Sequence, residues 1–335
     1  MNHYICKNHR ASTTPKQKIT AACLVLALAV ISLAFKSFAA EPVRISISST
    51  DLAYLATAVA WKKGFFAEEG LNVEVIRMNA NVAMAALVSG DVDYTMLFGT
   101  GVRAALRGFP VRGIAGSITK STHVLIAQPL IKSVPELRGK TLGVSSFGAA
   151  ADVVGRMMVK HFGVDPEKDI KVISLGSDRS RFAALKEKII DAAVISPPSD
   201  HEAQKIGYTI LARASDLFSF PISGLSATVK TIADKRTEVR KVIKALIKAN
   251  RYIPQNPEST IDVLMGWGKV ERTAAVASYD SGKMVFSQDG SVPDDGLRLI
   301  LDQAQKSLKI TKPVAVEEVA DFTVLREAQK ELGLK

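Results

Sequence analysis

Four short segments bring hydroxyl, carboxyl and glycine residues together where a strand-like pattern gives way to a helical one. They are Ser48-Ser49-Thr50-Asp51 with Tyr54 a turn later, Gly99-Thr100-Gly101, Ser145-Ser146-Phe147-Gly148-Ala149, and Ser196-Pro197-Pro198. The chemistry available to them is non-covalent capture. The first N–H groups of a helix have no intrahelical acceptor and carry the positive end of its dipole, so they can donate to an anion or a carbonyl. Candidate ligand contacts are Ser49, Asp51, Tyr54, Gly99, Thr100, Ser145, Ser146, Phe147, Gly148, Ser196 and Pro197. Each has a plainer role beside it. Asp51 is a helix N-cap residue, Gly99-Thr100-Gly101 suits an ordinary strand-to-helix turn, and the prolines after Ser196 suit a rigid one. The 145–149 segment is the best candidate, because its hydroxyls and N–H groups sit at a helix start. It is not a nucleotide loop, since no Gly-Lys-Ser/Thr ends it. Tyr54, Phe98, Phe147 and Phe220 could sandwich a flat or apolar body.

Residues for bond-making chemistry are scarce. His123, His161 and His201 lie too far apart for a metal motif such as His-Glu-x-x-His. No Gly-x-Ser-x-Gly elbow or paired histidines occur, so no catalytic residue, metal or cofactor is expected. Both cysteines, Cys6 and Cys23, fall in a distinct opening segment. There, Lys7, Arg10, Lys16 and Lys18 precede the apolar run 19–35, and Ser37-Phe38-Ala39-Ala40 follows it. That order is the one of a secretory signal cut after Ala39 or Ala40, with a retained anchor as the alternative. The mature chain then has no thiol. Five Lys/Arg and no acid lie in 1–39, so removal lowers the formal charge from +11 to +6. Its basic residues are interspersed with acids, so no nucleic-acid surface is indicated.

The rest is long enough for two lobes. Alternation predicts strands at 43–48, 71–76, 94–98, 111–117, 123–127, 141–144, 171–174, 191–195, 209–212 and 226–229, with helices between most of them. β-α alternation of this kind forms mostly parallel sheets covered by helices. Loops at the carboxyl ends of their strands form the crevice where ligands bind. The pattern restarts near 134, and after 225 it turns helix-rich. Lys230, Lys235, Arg236, Arg240, Lys241, Lys244 and Lys248 read as a solvated face of the long helix 231–250.

Five stretches, in order, resemble the periplasmic solute-binding proteins of ABC importers, in the group that handles nitrate, sulfonates such as taurine, and thiamin-pyrimidine precursors (NMT1/THI5-like). They are Tyr54-Leu55-Ala56, Trp61 to Glu74 with its Gly64-Phe65-Phe66 and Glu69-Gly70-Leu71, Ala86 to Tyr94, Leu137 to Val144, and Arg181 to Leu185 with Ile190 to Val194. Ile189-Ile190 departs from the glycine that the family usually carries there.

The resemblance implies a type II periplasmic binding protein fold: two doubly wound α/β lobes, with a helical C-terminal segment packed on lobe 1. Residues 41–127 and 225–335 would form lobe 1 and 128–224 lobe 2, with the 220–224 stretch at the return crossover. It also implies cleft loops at 99–101 and 196–198, and lobes that close by hinge bending. The expected function is a periplasmic, monomeric binder that is not an enzyme, captures a small organic anion and delivers it to an ABC permease in the inner membrane. The alternative is an enzyme or sensor on the same fold, directed to a pyrimidine-like or aromatic molecule.

Overall fold

In a computed structural model of the chain, residues 41–334 are described; the expected leader and its cut site lie outside them. Ten strands form two five-stranded sheets. The first has the order β2-β1-β3-β10-β4 and the second β7-β6-β8-β5-β9. The first is built from β1 (Val43–Ile47), β2 (Val73–Arg77), β3 (Tyr94–Thr95), β4 (Val111–Gly116) and β10 (Gly224–Thr228). The second is built from β5 (Val124–Ala127), β6 (Thr141–Val144), β7 (Lys171–Ser174), β8 (Ala192–Ile195) and β9 (Thr209–Arg213).

In β1, Val43, Ile45 and Ile47 are buried, and Ser46 between them is buried as well. A strand enclosed on both faces is what a helix-covered parallel sheet requires. It runs parallel to β2 and β3. Each sheet also takes one antiparallel strand. β10 lies between β3 and β4, and β5 lies between β8 and β9. Residues 124–127 therefore belong to the second sheet. The first crossover precedes Val124, which corrects the reading that placed it after 127.

Two further expectations change. The strand read at 94–98 stops at Thr95, and Phe98–Leu106 is a helix whose first turn contains Gly99, Thr100 and Gly101. Packing explains the change. Phe98 is fully buried, and its ring lies where a Cβ on Gly113 would be, 2.4 Å from Cε2. The basic residues of the long helix Arg236–Gln255 are likewise not simply solvated. Lys244 and Lys248 reach Glu69 at 2.9 and 2.7 Å, Arg236 reaches Glu327 at 2.6 Å and Arg240 reaches Glu331 at 2.8 Å. Val239, Val242, Ile243, Leu246 and Ile247 fill the opposite face of that helix. The helix is thus buried on one side. On the other it is pinned to Glu69, which follows the helix Phe65–Glu68, and to the final helix Thr323–Glu331.

A methyl group at position 113 has nowhere to go. Gly113→Ala is expected to destabilise the protein by about 1–3 kcal/mol, the usual penalty for overpacking. A lower melting temperature in calorimetry, with far-ultraviolet circular dichroism unchanged, checks this.

Candidate ligand-binding site

A cavity of about 280 Å³ lies where the strand-end loops of the two sheets meet. Ser48, Ser49, Asp51 and Tyr54 follow β1, Arg77, Met78 and Asn79 follow β2, and Leu97 and Thr100 follow β3. The second sheet contributes Ser145, Ser146 and Ala149–Ala151 after β6, Gly176, Ser177, Asp178 and Arg181 after β7, and His123 just before β5. Ile222 completes the wall ahead of β10. Polar links tie one side to the other. Asn79 Nδ2 donates to Ser146 Oγ at 2.6 Å, and the Leu52 N–H donates to the Pro197 carbonyl at 3.1 Å.

Six of the candidate contacts line this cavity: Ser49, Asp51, Tyr54, Thr100, Ser145 and Ser146. Gly99 and Gly148 instead line a narrow cleft beside it, together with Arg103 and Phe220. Gly148 has φ +78°, and a Cβ there would lie 3.2 Å from Arg103 Nη2, so glycine suits both the backbone and the contact. Three expected contacts are outside the wall. Phe147 is 55% exposed, because the turn that aims Ser146 inward points its neighbour out. Ser196 and Pro197 act from behind: the Ser196 N–H donates to Asp178 Oδ2 at 2.8 Å, and Pro197 holds Leu52. The aromatic sandwich does not form. Phe98 stacks on Phe322 in the core and Phe220 packs edge-on against Phe218, so Tyr54 alone of the four reaches the cavity.

Of the charged groups in the wall, Asp51 is an expected contact, whereas Arg77 and Asp178 are not. Arg181 lines the cavity, but its guanidinium is committed to protein acceptors: the Val194 carbonyl at 2.6 Å, the Gly176 carbonyl and Asp178. Asp178 is thereby ion-paired, although burial still holds its carboxyl above the usual carboxylate range. Asp51 is different. Its Oδ1 accepts from the Ala53 N–H at 2.8 Å, and its Oδ2 accepts from the Ser49 hydroxyl. It makes no ion pair among the described residues. Burial, reinforced by the charge of Asp178, pushes the Asp51 carboxyl up to about 7. Burial also pushes His123 down to about 3, assisted by the Arg181 charge, so its ring is neutral at physiological pH. His123 Nδ1 meets Ser121 Oγ at 3.0 Å, and Nε2 has no protein partner among the described residues. Arg77 lines the cavity as an exposed cation that makes no ion pair among the described residues.

The helix Ala150–His161 begins at this wall with no side-chain cap. Ala149 N–H is bonded back to the Ser146 carbonyl, and Gly148 N–H is bonded to Asp152. The N–H groups of Ala150 and Ala151 have no protein acceptor among the described residues. Among those residues no group of three or more His, Cys, Asp or Glu is placed to hold a metal ion.

A raised Asp51 means that between about pH 4 and 7 the folded protein holds a proton the unfolded chain has released. This contribution to stability is fully present below the unfolded value and is lost as pH rises through 7. Asn at this position keeps the cap and carries no charge. Asp51→Asn is therefore expected to raise the melting temperature of the free protein at pH 8 by a few degrees, and by less at pH 5. Paired calorimetric scans of the two proteins read the difference directly.

The comparisons with known proteins agree with this architecture. A Brucella abortus chain, named only as a candidate binding protein, is 26% identical over 254 residues, covering 74% of this chain and 78% of its own length. A solved structure from Bordetella bronchiseptica RB50 superposes with a TM-score of 0.74 at 21% identity, covering 87% of this chain and 98% of the other. The alkanesulfonate-binding protein SsuA of Xanthomonas axonopodis pv. citri, solved with MOPS bound, gives 0.68 at 15% identity, covering 87% and 99%. The fold is thus that of a periplasmic binding protein with two α/β lobes. The sequence matches the family described as NMT1/THI5 like over residues 53–260. The chain belongs to the NMT1/THI5-like family.

Proposed function

We propose that this chain is the extracytoplasmic substrate-binding component of an ABC importer. It captures a small organic anion of the sulfonate or carboxylate type between its lobes, acts as a monomer and delivers the solute to an inner-membrane permease. The observation that carries this reading is the cavity itself, walled by strand-end loops from both sheets. Within it, the Arg77 guanidinium and the N–H groups of Ala150 and Ala151 are available to an acid group. A volume of about 280 Å³ suits a small solute better than a drug-sized one. The sulfonate- and nitrate-binding proteins that share the fold are consistent with it. A second reading, an enzyme on this fold, draws on the perturbed Asp51 and His123 sharing one cavity.

The test is a melting-temperature screen of the purified protein against small sulfonates, carboxylates and heterocycles, with each mixture analysed for product. A binder at a hundredfold excess over its Kd stabilises by about 2.7 kcal/mol, which is a shift of several degrees. A shift without product supports capture, product formation moves the assignment to the enzyme, and no shift from any compound removes the proposal. Ser146→Ala deletes the acceptor of the Asn79 bond across the cavity. A net hydrogen bond of about 1 kcal/mol translates to roughly fivefold weaker solute binding, checked by titration calorimetry.

A further inference from the structure

Two ionisable groups lining the cavity make no ion pair among the described residues, and their charges have opposite signs: the Arg77 guanidinium and the Asp51 carboxyl. The groups that face Asp51 cannot supply a cation. Arg181 is engaged by Val194, Gly176 and Asp178, the nearby Asp178 adds negative charge, and Asp200 behind it is already paired with Arg213 at 2.7 Å. His123 is neutral. It is 6% exposed, and its Nε2 has no protein partner among the described residues. Tyr54, the other titratable neighbour, hydrogen-bonds Ser48 at 2.7 Å. A simple anion placed here satisfies Arg77 but adds a second negative group to the cavity that holds the buried Asp51 carboxyl, which makes no ion pair among the described residues.

We propose that the solute is bipolar: besides its acid group it carries a nitrogen that donates to Asp51, with His123 beside it as a further polar contact. This rests on the capture reading above and names the class of solute within it. An ammonium or amidinium supplies the missing counter-charge and keeps Asp51 ionised. Binding then competes with the proton that Asp51 otherwise holds, so affinity falls as pH falls. With a carboxyl titrating at about 7, the loss between pH 8 and pH 6 is about tenfold. An acid without a nitrogen has the opposite dependence, because it prefers Asp51 protonated.

The experiment is calorimetric titration of the full chain and of Asp51→Asn, at pH 6 and pH 8, with skeleton-matched sets. One set is 3-aminopropanesulfonate, propanesulfonate and propylamine. Others are the corresponding carboxylates and 4-aminomethylbenzoate with 4-methylbenzoate. The expected result is that at least one bipolar compound binds at least tenfold tighter than its single-group partners. Its binding should be weaker at pH 6 and weakened at least tenfold by Asp51→Asn. A nitrogen-free acid that binds as tightly, gains affinity at pH 6 and binds Asp51→Asn better overturns the proposal and leaves anion capture standing. If no compound binds either protein, capture and its bipolar form fall together.

Discussion

Neither sheet is complete without a strand delivered by a crossing of the chain. β10 arrives after the whole second sheet has been built and inserts between β3 and β4, antiparallel to both. β5 leaves the first sheet's last parallel strand and inserts between β8 and β9. The crossings at 117–123 and 214–223 join the sheets side by side, with their strand ends turned toward a common space. The Ser117 N–H donates to the Ser223 carbonyl at 3.0 Å, and the Ala214 N–H donates to the His123 carbonyl at 3.0 Å, so the two crossings hold one another. The cavity follows from that arrangement. Its wall residues come from five loops far apart in sequence, and the crossings supply His123 and Ile222 as well.

The second determinant is electrostatic. Helix starts that meet at a cavity would normally make it uniformly attractive to anions. Here two of them carry acids: Asp51 caps the turn after β1, and Asp178 opens the helix after β7. The second acid is ion-paired with Arg181, whereas the first makes no ion pair among the described residues. The start of the Ala150 helix has no such cap. The same structural device, a helix N-terminus, thus appears in two forms within one site, and the difference gives the cavity polarity.

Strand and helix periodicity revealed most of the architecture, because β-α alternation in a buried sheet leaves a strong pattern of Val, Ile and Ala. Errors arose where tertiary packing overrode local pattern. Tyr94 to Phe98 is a short, mostly apolar run that reads as a strand, yet Phe98 begins a helix and turns inward because Gly113 leaves room for its ring. Strand-end logic found Asp51, Ser145 and Ser146, and applied to β2 and β7 it would also have found Asn79 and Asp178. Arg181 was legible as a family position. That its guanidinium would be fully engaged was not, because its acceptors are the carbonyls of Val194 and Gly176. Phe147 reads as a contact for a flat or apolar body, but sequence does not say which of two neighbours in a tight turn faces inward.

The bond from Leu52 to Pro197 has a consequence for the cycle as a whole. Leu52 adjoins Asp51, and Ser196, next to Pro197, holds Asp178. The contact that draws the two loops together therefore adjoins Asp51 in sequence on one side and, through Ser196, is one hydrogen bond from Asp178 on the other. Any motion that separates these loops readmits water to Asp51 and returns its proton affinity toward that of a free carboxylate. Closing over nothing and closing over a cation then differ in proton count. The empty closed form takes a proton from the surrounding medium, and the occupied one does not. Under the proposed capture, the acidity of the medium thereby sets how readily the loops come together without a solute.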